Sequence, residues 1–449
     1  MLFDSRQGVK DTIVSAVPQI VGVFTGFFGS VLIARGLGPD GMGQYALVIS
    51  LAGIATSLSD LGIGQTAIRY ASRAAANNDT PVQMSVLRWA LRWRLSLVFL
   101  STTAFFLLAP SIAQFWHSET LTPYLRLGLL GGVFAALASV PTIYFQSSKR
   151  FSVNASVTSS QKIISFAGIL VLSVFSLWSL RNVVLANLFA SAIGALVFLI
   201  IVPKAAIWPR NAMRKITGPD LRRVLASPKI QHDTNNKLDN SSPVGFLTFH
   251  VFSVVIVTLT LQVDVWMMGY LLEKSELGIY SVATRFALPL TIALGALSTA
   301  LWPRASGATD PAAVLSLMRR TFITCFLIGL CSILYALFVP LLAPRIFGSE
   351  YADSAFIGQL LCLRFFVSFC VIPVSICGYS FGLVRYYWMV NLLQLVAVVF
   401  MNALLLPILG PIAPALAILT NSLIGAFSFS FLFVLVYHRH VRNVEISHE

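Results

Sequence analysis

Charge is what this chain has least of. Asp, Glu, Lys and Arg make up 11% of its 449 residues, against about 25% in soluble globular proteins. A water-exposed domain of any size is thereby excluded, because 57% of the residues are hydrophobic and that apolar surface needs lipid to cover it. Cysteine is sparse and unpatterned. Cys325, Cys331, Cys362, Cys370 and Cys377 all lie in apolar stretches of the second half, with no C-x-x-C pair, so neither a disulfide framework nor a metal site is expected. None of the six histidines, His117, His232, His250, His438, His440 and His448, has a carboxylate and a nucleophile at a useful spacing. No phosphate-cradling glycine loop is present, which argues against ATP as an energy source. The N-terminus lacks a short apolar region with a small-residue cleavage site, so its first apolar stretch reads as an uncleaved span. These absences exclude an enzyme and leave an integral membrane protein.

What is present is a series of long apolar runs. They do not alternate with period two, so helices rather than a barrel satisfy the backbone in hydrocarbon. A spanning helix needs about 20 apolar residues. The runs predict spans at 12–36, 44–68, 93–115, 124–146, 157–178 and 183–203, then at 245–271, 280–302, 320–343, 354–380, 387–407 and 413–436. The expected fold is all-α and integral to the membrane, with about twelve transmembrane helices in two parallel six-helix repeats around a central cavity. A bundle over 1–203 and a second over 244–449 flank a basic linker at 204–243, whose polar tract 230–243 reads as flexible.

The net charge of +14 reports topology rather than a nucleic-acid partner. With the N-terminus placed inside, the outer loops hold only Arg35, Arg126, Arg181, Lys274 and Arg345. Arg285 and Arg364 fall within helices, and the other 24 of the 31 basic residues lie on the inner side. That bias predicts cytoplasmic termini. Trp116 and Trp178 read as interfacial aromatics at outer ends. The halves also repeat one another. Gly43-Gln44-Tyr45 returns as Gly278-Ile279-Tyr280 after 235 residues, Leu61-Gly62 as Leu294-Gly295 after 233, and Leu107–Ile112 as Leu341–Ile346 after 234. Six helices per repeat insert both halves the same way, an arrangement that places a transport site between the bundles.

Ionisable residues inside spans cost about 2.5–3.5 kcal/mol on insertion scales and are functional candidates by default. Four qualify: Asp60, Asp264, Arg285 and Arg364. Arg364 is too deep to reach the surface easily and reads as facing a cavity. Arg285 reads equally as a cavity residue or as one snorkelling outward. Asp264 and Arg285 are also candidates for a structural pair, and Asp60 for a cap or a neighbour's partner. Arg35, closing the first helix, fits a cavity rim or an ordinary interface. Gly22, Gly26, Gly29, Gly128 and Gly132 offer small-residue faces for close packing.

Four local patterns carry a family resemblance. Ile33–Tyr45 (IARGLGPDGMGQY) and Ser59–Gly64 (SDLGIG) resemble the helix 1–2 region of bacterial polysaccharide-unit flippases. Val263–Gly269 (VDVWMMG), running on to Leu277–Arg285 (LGIYSVATR), is similar to that family's helix 7–8 signature, and Ile346–Tyr351 (IFGSEY) to its helix 9–10 turn. The family belongs to the multidrug/oligosaccharidyl-lipid/polysaccharide transporter superfamily. The resemblance implies a flippase in the bacterial cytoplasmic membrane. It would carry an undecaprenyl-pyrophosphate-linked oligosaccharide from the inner to the outer leaflet, for O-antigen, capsule or exopolysaccharide assembly. It implies a monomer in contact with membrane lipids, a polysaccharide polymerase and chain-length proteins as partners, and no cofactor beyond a coupling proton or sodium ion. On that reading Arg364, Arg285 and Arg35 are the substrate-binding cations, and Asp60 or Asp264 takes the coupling ion. The alternative is an ion-coupled antiporter of small molecules from the same superfamily.

Overall fold

The structure, a computed structural model, describes residues 6–76, 79–148, 150–201, 243–306, 311–378 and 383–446. Hydrocarbon offers a backbone amide no partner but another amide, and the described chain is helical almost throughout. The first half comprises α1 (Arg6–Asp60), α2 (Ile63–Ala76), α3 (Thr80–Phe115), α4 (Thr122–Ala138), α5 (Val140–Ser147), α6 (Phe151–Val174) and α7 (Leu180–Ile201). The second comprises α8 (Pro243–Leu271), α9 (Lys274–Phe286), α10 (Leu288–Ser306), α11 (Pro311–Phe347), α12 (Ser354–Cys377), α13 (Val384–Leu409) and α14 (Ala413–Ile446). The expected linker lies outside the described residues up to position 242.

Nine helical stretches among the described residues are long and apolar enough to cross a membrane, and ten when the bent pair α9–α10 counts as one span. Two of these stretches, Val17–Asp60 and Tyr386–Val436, run for 44 and 51 residues. At 1.5 Å per residue each exceeds twice the roughly 30 Å of a hydrocarbon core. Each is broken at a glycine with positive φ, Gly38 at 68° and Gly410 at 54°, a conformation that costs glycine nothing. Each therefore holds two crossings, and the spans among the described residues number twelve.

The helix packing repeats. In the first half α1 lies on α6, α4 on α7 and α6 on α7; in the second, α8 lies on α13, α12 on α14 and α13 on α14. The turns repeat as well. A residue with positive φ and then a short 3-10 turn follow α3 (His117, Glu119–Leu121) and α11 (Gly348, Ser349–Tyr351). Gly128 and Gly132 leave room for the α1 side chains Val48 and Thr56.

The helix that carries the third predicted span, 93–115, begins well before it, at Thr80, because the Asp79 side chain accepts the Val82 amide at 3.1 Å and Pro81 fits the first turn. The added turns bury Met84, Val86, Leu87, Ala90 and Leu91 against Ile63, Ala67 and Ala71 of α2 and Val140 and Ile143 of α5. A stretch that reads as a basic loop is thus a helical extension on the side that carries the chain termini.

On that side the apolar clusters belong to one half or the other. The α2–α3–α5 cluster is entirely of the first half, while Leu301, Cys325, Ile372 and Ile376 are of the second. On the far side one cluster spans both halves, joining Ile33, Met42, Leu47 and Trp116 to Met268, Leu277, Phe286 and Phe347. The halves are closed on each other there. Backbone meets backbone at the repeated glycines: a methyl on Gly43 would overlap the Lys274 carbonyl, and one on Gly278 the Pro39 carbonyl.

Neither carbonyl can retreat without moving a helix. Gly43→Ala and Gly278→Ala are each expected to lower stability by about 1–3 kcal/mol, the usual cost of overfilling a packed contact. Gly26→Ala, where nothing lies within 4 Å, should leave the thermal midpoint of the detergent-solubilised protein unchanged.

Candidate functional site

The far-side closure is made by side chains of one half grasping backbone of the other. At the end of the first span Arg35 donates from Nε to the Ile346 carbonyl and from Nη2 to the Arg345 carbonyl, both at 2.8 Å. These carbonyls close α11. Reciprocally, Lys274 at the start of α9 donates from Nζ to the Trp116 carbonyl, just past α3, and to the Gly269 carbonyl, both at 2.7 Å. A cation therefore sits at a helix C-terminus of the opposite half in both directions, where unsatisfied carbonyls and the helix dipole favour it. The Tyr351 hydroxyl donates to the Ala34 carbonyl at 2.9 Å, and burial, with Glu350 beside it, holds that phenol above its ordinary value. Trp266 donates from Nε1 to the Ser50 hydroxyl at 3.1 Å. Trp116, read from sequence as an interfacial aromatic, is instead wholly buried, edge-on to Trp266 with centroids 5.8 Å apart.

Below this closure lie the two arginines inside spans. Because α9 starts at Lys274, earlier than the predicted span, Arg285 is eleven residues down it; Arg364 is ten residues down α12. At 1.5 Å per residue both are about 15 Å from the far side, near mid-membrane. Their helices pack on each other. Both side chains are half-buried, and the Nε of each is buried with no hydrogen-bond partner. Among the described residues no carboxylate lies within 4 Å of either. Arg364 rests over the Phe365 ring at 4.6 Å, a modest cation–π contact.

A polar network from each half reaches this level. In the first, Asn187 donates to the Tyr45 hydroxyl at 2.9 Å and accepts from Ser165 at 3.2 Å, and Tyr45 lies within electrostatic range of Arg285. In the second, the repeat-related Tyr280 donates to Asp264 Oδ2 at 3.2 Å and Asn402 donates to Oδ1 at 2.7 Å. Asp264 is 4% exposed. Its carboxylate ties α8, α9 and α13 together, with Arg364 in electrostatic range rather than in contact. The structure thus brings Asp264, Tyr280 and Arg364 into one neighbourhood, with Arg285 on the helix beside it.

Asp60 and Arg35 lie elsewhere. Asp60 sits nearer the termini, where the chain turns at Leu61 and Gly62. It accepts the Gly64 amide at 3.0 Å and pairs with Arg94 Nη2 at 3.4 Å. Arg35 is part of the far-side closure described above. Two cations counted from sequence among the inner ends, one buried and one half-buried, lie well inside helices. Arg94 was one, and the Asp79-Thr80-Pro81 start signal would have placed it four turns inside α3. Lys162 was the other: its Nζ donates to the Pro18 carbonyl at 2.7 Å, in space that Gly22 leaves open.

Residues 9–308 match the sequence family described as "Polysaccharide biosynthesis protein". A putative O-antigen transporter of Shigella flexneri is 25% identical over 373 residues, covering 80% of this chain and 81% of that one. Stage V sporulation protein B of Bacillus subtilis (strain 168) is 28% identical over 147 residues, and the match spans only 28% of that protein. Among solved structures, the lipid II flippase MurJ in an inward closed conformation superposes with a TM-score of 0.68 at 12% identity, over 98% of this chain and 92% of that one. An inward-facing multidrug resistance transporter of the MATE family, in the MOP superfamily, superposes at 0.67 and 15% identity over 95% and 98%. The fold is therefore the twelve-span, two-repeat fold of that superfamily.

Asp264→Leu would leave the Tyr280 hydroxyl and the Asn402 amide buried without an acceptor, at about 1–3 kcal/mol each. The expected order of thermal midpoints in detergent is wild type, then Asp264→Asn, which keeps one acceptor oxygen, then Asp264→Leu well below. Equal midpoints for all three would show that the carboxylate does not tie the helices.

Proposed function

The chain belongs to the polysaccharide biosynthesis protein family, and from that footing we propose that it is a flippase. Its cargo is an undecaprenyl-pyrophosphate-linked oligosaccharide, moved from the inner to the outer leaflet of the bacterial cytoplasmic membrane. The observation that carries this reading is the pair Arg285 and Arg364, two guanidinium groups at mid-membrane with buried, unsatisfied Nε donors and, among the described residues, no carboxylate within 4 Å. Such cations persist in a low-dielectric interior when an anion is to take their donors. A pyrophosphate suits the guanidinium fork, which binds two oxygens at once. The sugar hydroxyls would exchange water for the polar side chains around the cavity, since each one left unsatisfied in hydrocarbon costs several kcal/mol. The lipid tail stays in the bilayer.

The conformation suits the direction. With the termini on the cytoplasmic side, as the basic-residue bias indicates, the apolar cluster that joins the halves lies toward the outer face while those toward the cytoplasm stay within one half, which suits entry of the headgroup from the side where it is made. An inside-negative potential favours outward movement of an anion by about 2.3 kcal/mol per charge per 100 mV, which supplies part of the drive. Of the two carboxylate candidates for a coupling proton or sodium ion, Asp60 is the more open and Asp264 the more enclosed. A cation antiporter would need free carboxylates at mid-depth, and the one carboxylate described there, Asp264, already accepts two hydrogen bonds.

Arg364→Ala is expected to abolish flipping while the protein still inserts and accumulates, with Arg364→Lys retaining part. The measurement is made in cells lacking other flippases, using spheroplasts and a membrane-impermeant glycan probe. The lipid-linked oligosaccharide should accumulate in the variant yet be unreachable until the membrane is opened. Normal outer-face labelling by Arg364→Ala overturns the assignment.

A further inference from the structure

The far-side closure has a feature that packing alone does not require. Its two cations, Arg35 and Lys274, are held by neutral carbonyls and by no carboxylate within 4 Å among the described residues. Arg35 uses Nε and Nη2 on two successive carbonyl oxygens, both at 2.8 Å, the same fork it would present to two phosphate oxygens. Lys274 has spent two of its three donors on carbonyls. Helix C-termini carry only about half a negative charge each, whereas a pyrophosphate brings full negative charges and oxygens spaced to take a guanidinium's paired donors. One helix, α9, carries both Lys274 at its start and Arg285 eleven residues below, so an anion leaving mid-membrane toward the far side travels along the helix that holds the lock.

The geometry points to Arg35 and Lys274 as a second, exit-side anion site, masked in this conformation by the backbone carbonyls of the opposite half. A pyrophosphate arriving from Arg285 and Arg364 takes the two cations from the Arg345, Ile346 and Trp116 carbonyls. With those bonds exchanged, the halves part at Gly43 and Gly278. The cargo's own charge then opens the outer side, and an empty transporter stays shut. This rests on the flippase reading in so far as the cargo carries a lipid pyrophosphate.

Ser50 reports the opening. It is 4% exposed and lies behind the closure against Trp266, so Ser50→Cys reacts with maleimide only when the halves separate. The full-length protein carrying Ser50→Cys is placed in lipid nanodiscs and its labelling rate is read above that of the chain without the added cysteine. Farnesyl diphosphate should raise the rate several-fold, and farnesol should not. Adding Arg35→Gln and Lys274→Gln should make labelling fast without ligand and indifferent to farnesyl diphosphate. The charge-keeping pair Arg35→Lys and Lys274→Arg should stay slow and responsive. Size-exclusion elution checks folding, and if the glutamine pair fails to fold, the parent and the charge-keeping pair decide. The proposal is overturned if the glutamine pair labels as slowly as the parent. It is equally overturned if farnesyl diphosphate binds the parent, by radioligand retention that Arg364→Ala removes, yet leaves its labelling rate unmoved. Absence of any such binding would instead remove the pyrophosphate reading of the mid-membrane site, and this inference with it.

Discussion

At Gly43 and Gly278 the backbone of each half touches the backbone of the other, and there is no room for a single methyl group between them. That closeness governs the rest of the far side. It brings the end of the first span near enough to α11 for Arg35 to hold two of its last carbonyls, and the start of α9 near enough to α3 for Lys274 to hold the Trp116 carbonyl. It also sets Trp116 against Trp266 and Phe27 against both Phe286 and Phe347. Closely packed interfaces are bistable rather than elastic. The same contacts are therefore suited to be made and broken as a unit, which is what alternating access requires of the closed side.

The interior polar groups divide by whether their valences are filled. Asp264 has a donor on each oxygen, so its charge is compensated where it lies. Asp60 has an amide and a guanidinium. Arg285 and Arg364 have electrostatic neighbours but keep buried Nε donors with nothing to give to. In a low-dielectric setting an unfilled charged donor is the expensive case. A carboxylate that braces helices, Asp264, and guanidiniums that keep an unfilled donor, Arg285 and Arg364, are thus two uses of buried charge at nearly one depth.

The repeat is exact in topology and unequal in chemistry. Tyr45 and Tyr280 occupy matching places after matching glycines, yet the first meets the amide of Asn187 and the second the carboxylate of Asp264. Both mid-depth arginines belong to the second half. A symmetric scaffold thus carries asymmetric chemistry: neutral hydrogen-bonding groups at this level in the first half, a carboxylate and two arginines in the second.

The fold class was legible in the sequence because hydrocarbon imposes it locally. Apolar run length gives the spans, and recurrent Gly-x-Tyr, Leu-Gly and Ala-Pro spacings give the repeat, without any knowledge of what touches what. Arg285, Arg364, Asp60 and Asp264 could be singled out in the same way, since a charge within an apolar run is visible by itself. Their partners could not. That Asp264 answers Tyr280 and Asn402 rather than Arg285, that Arg94 pairs with Asp60 and Lys162 with the Pro18 carbonyl, and that Arg35 grips carbonyls 310 and 311 residues away are outcomes of helix docking. Hydropathy sums over neighbours along the chain, whereas a buried charge is satisfied by neighbours in space. The sequence by itself therefore determined the solvent, the spans and the repeat, and only the tertiary structure decided which charges are filled and which are left open.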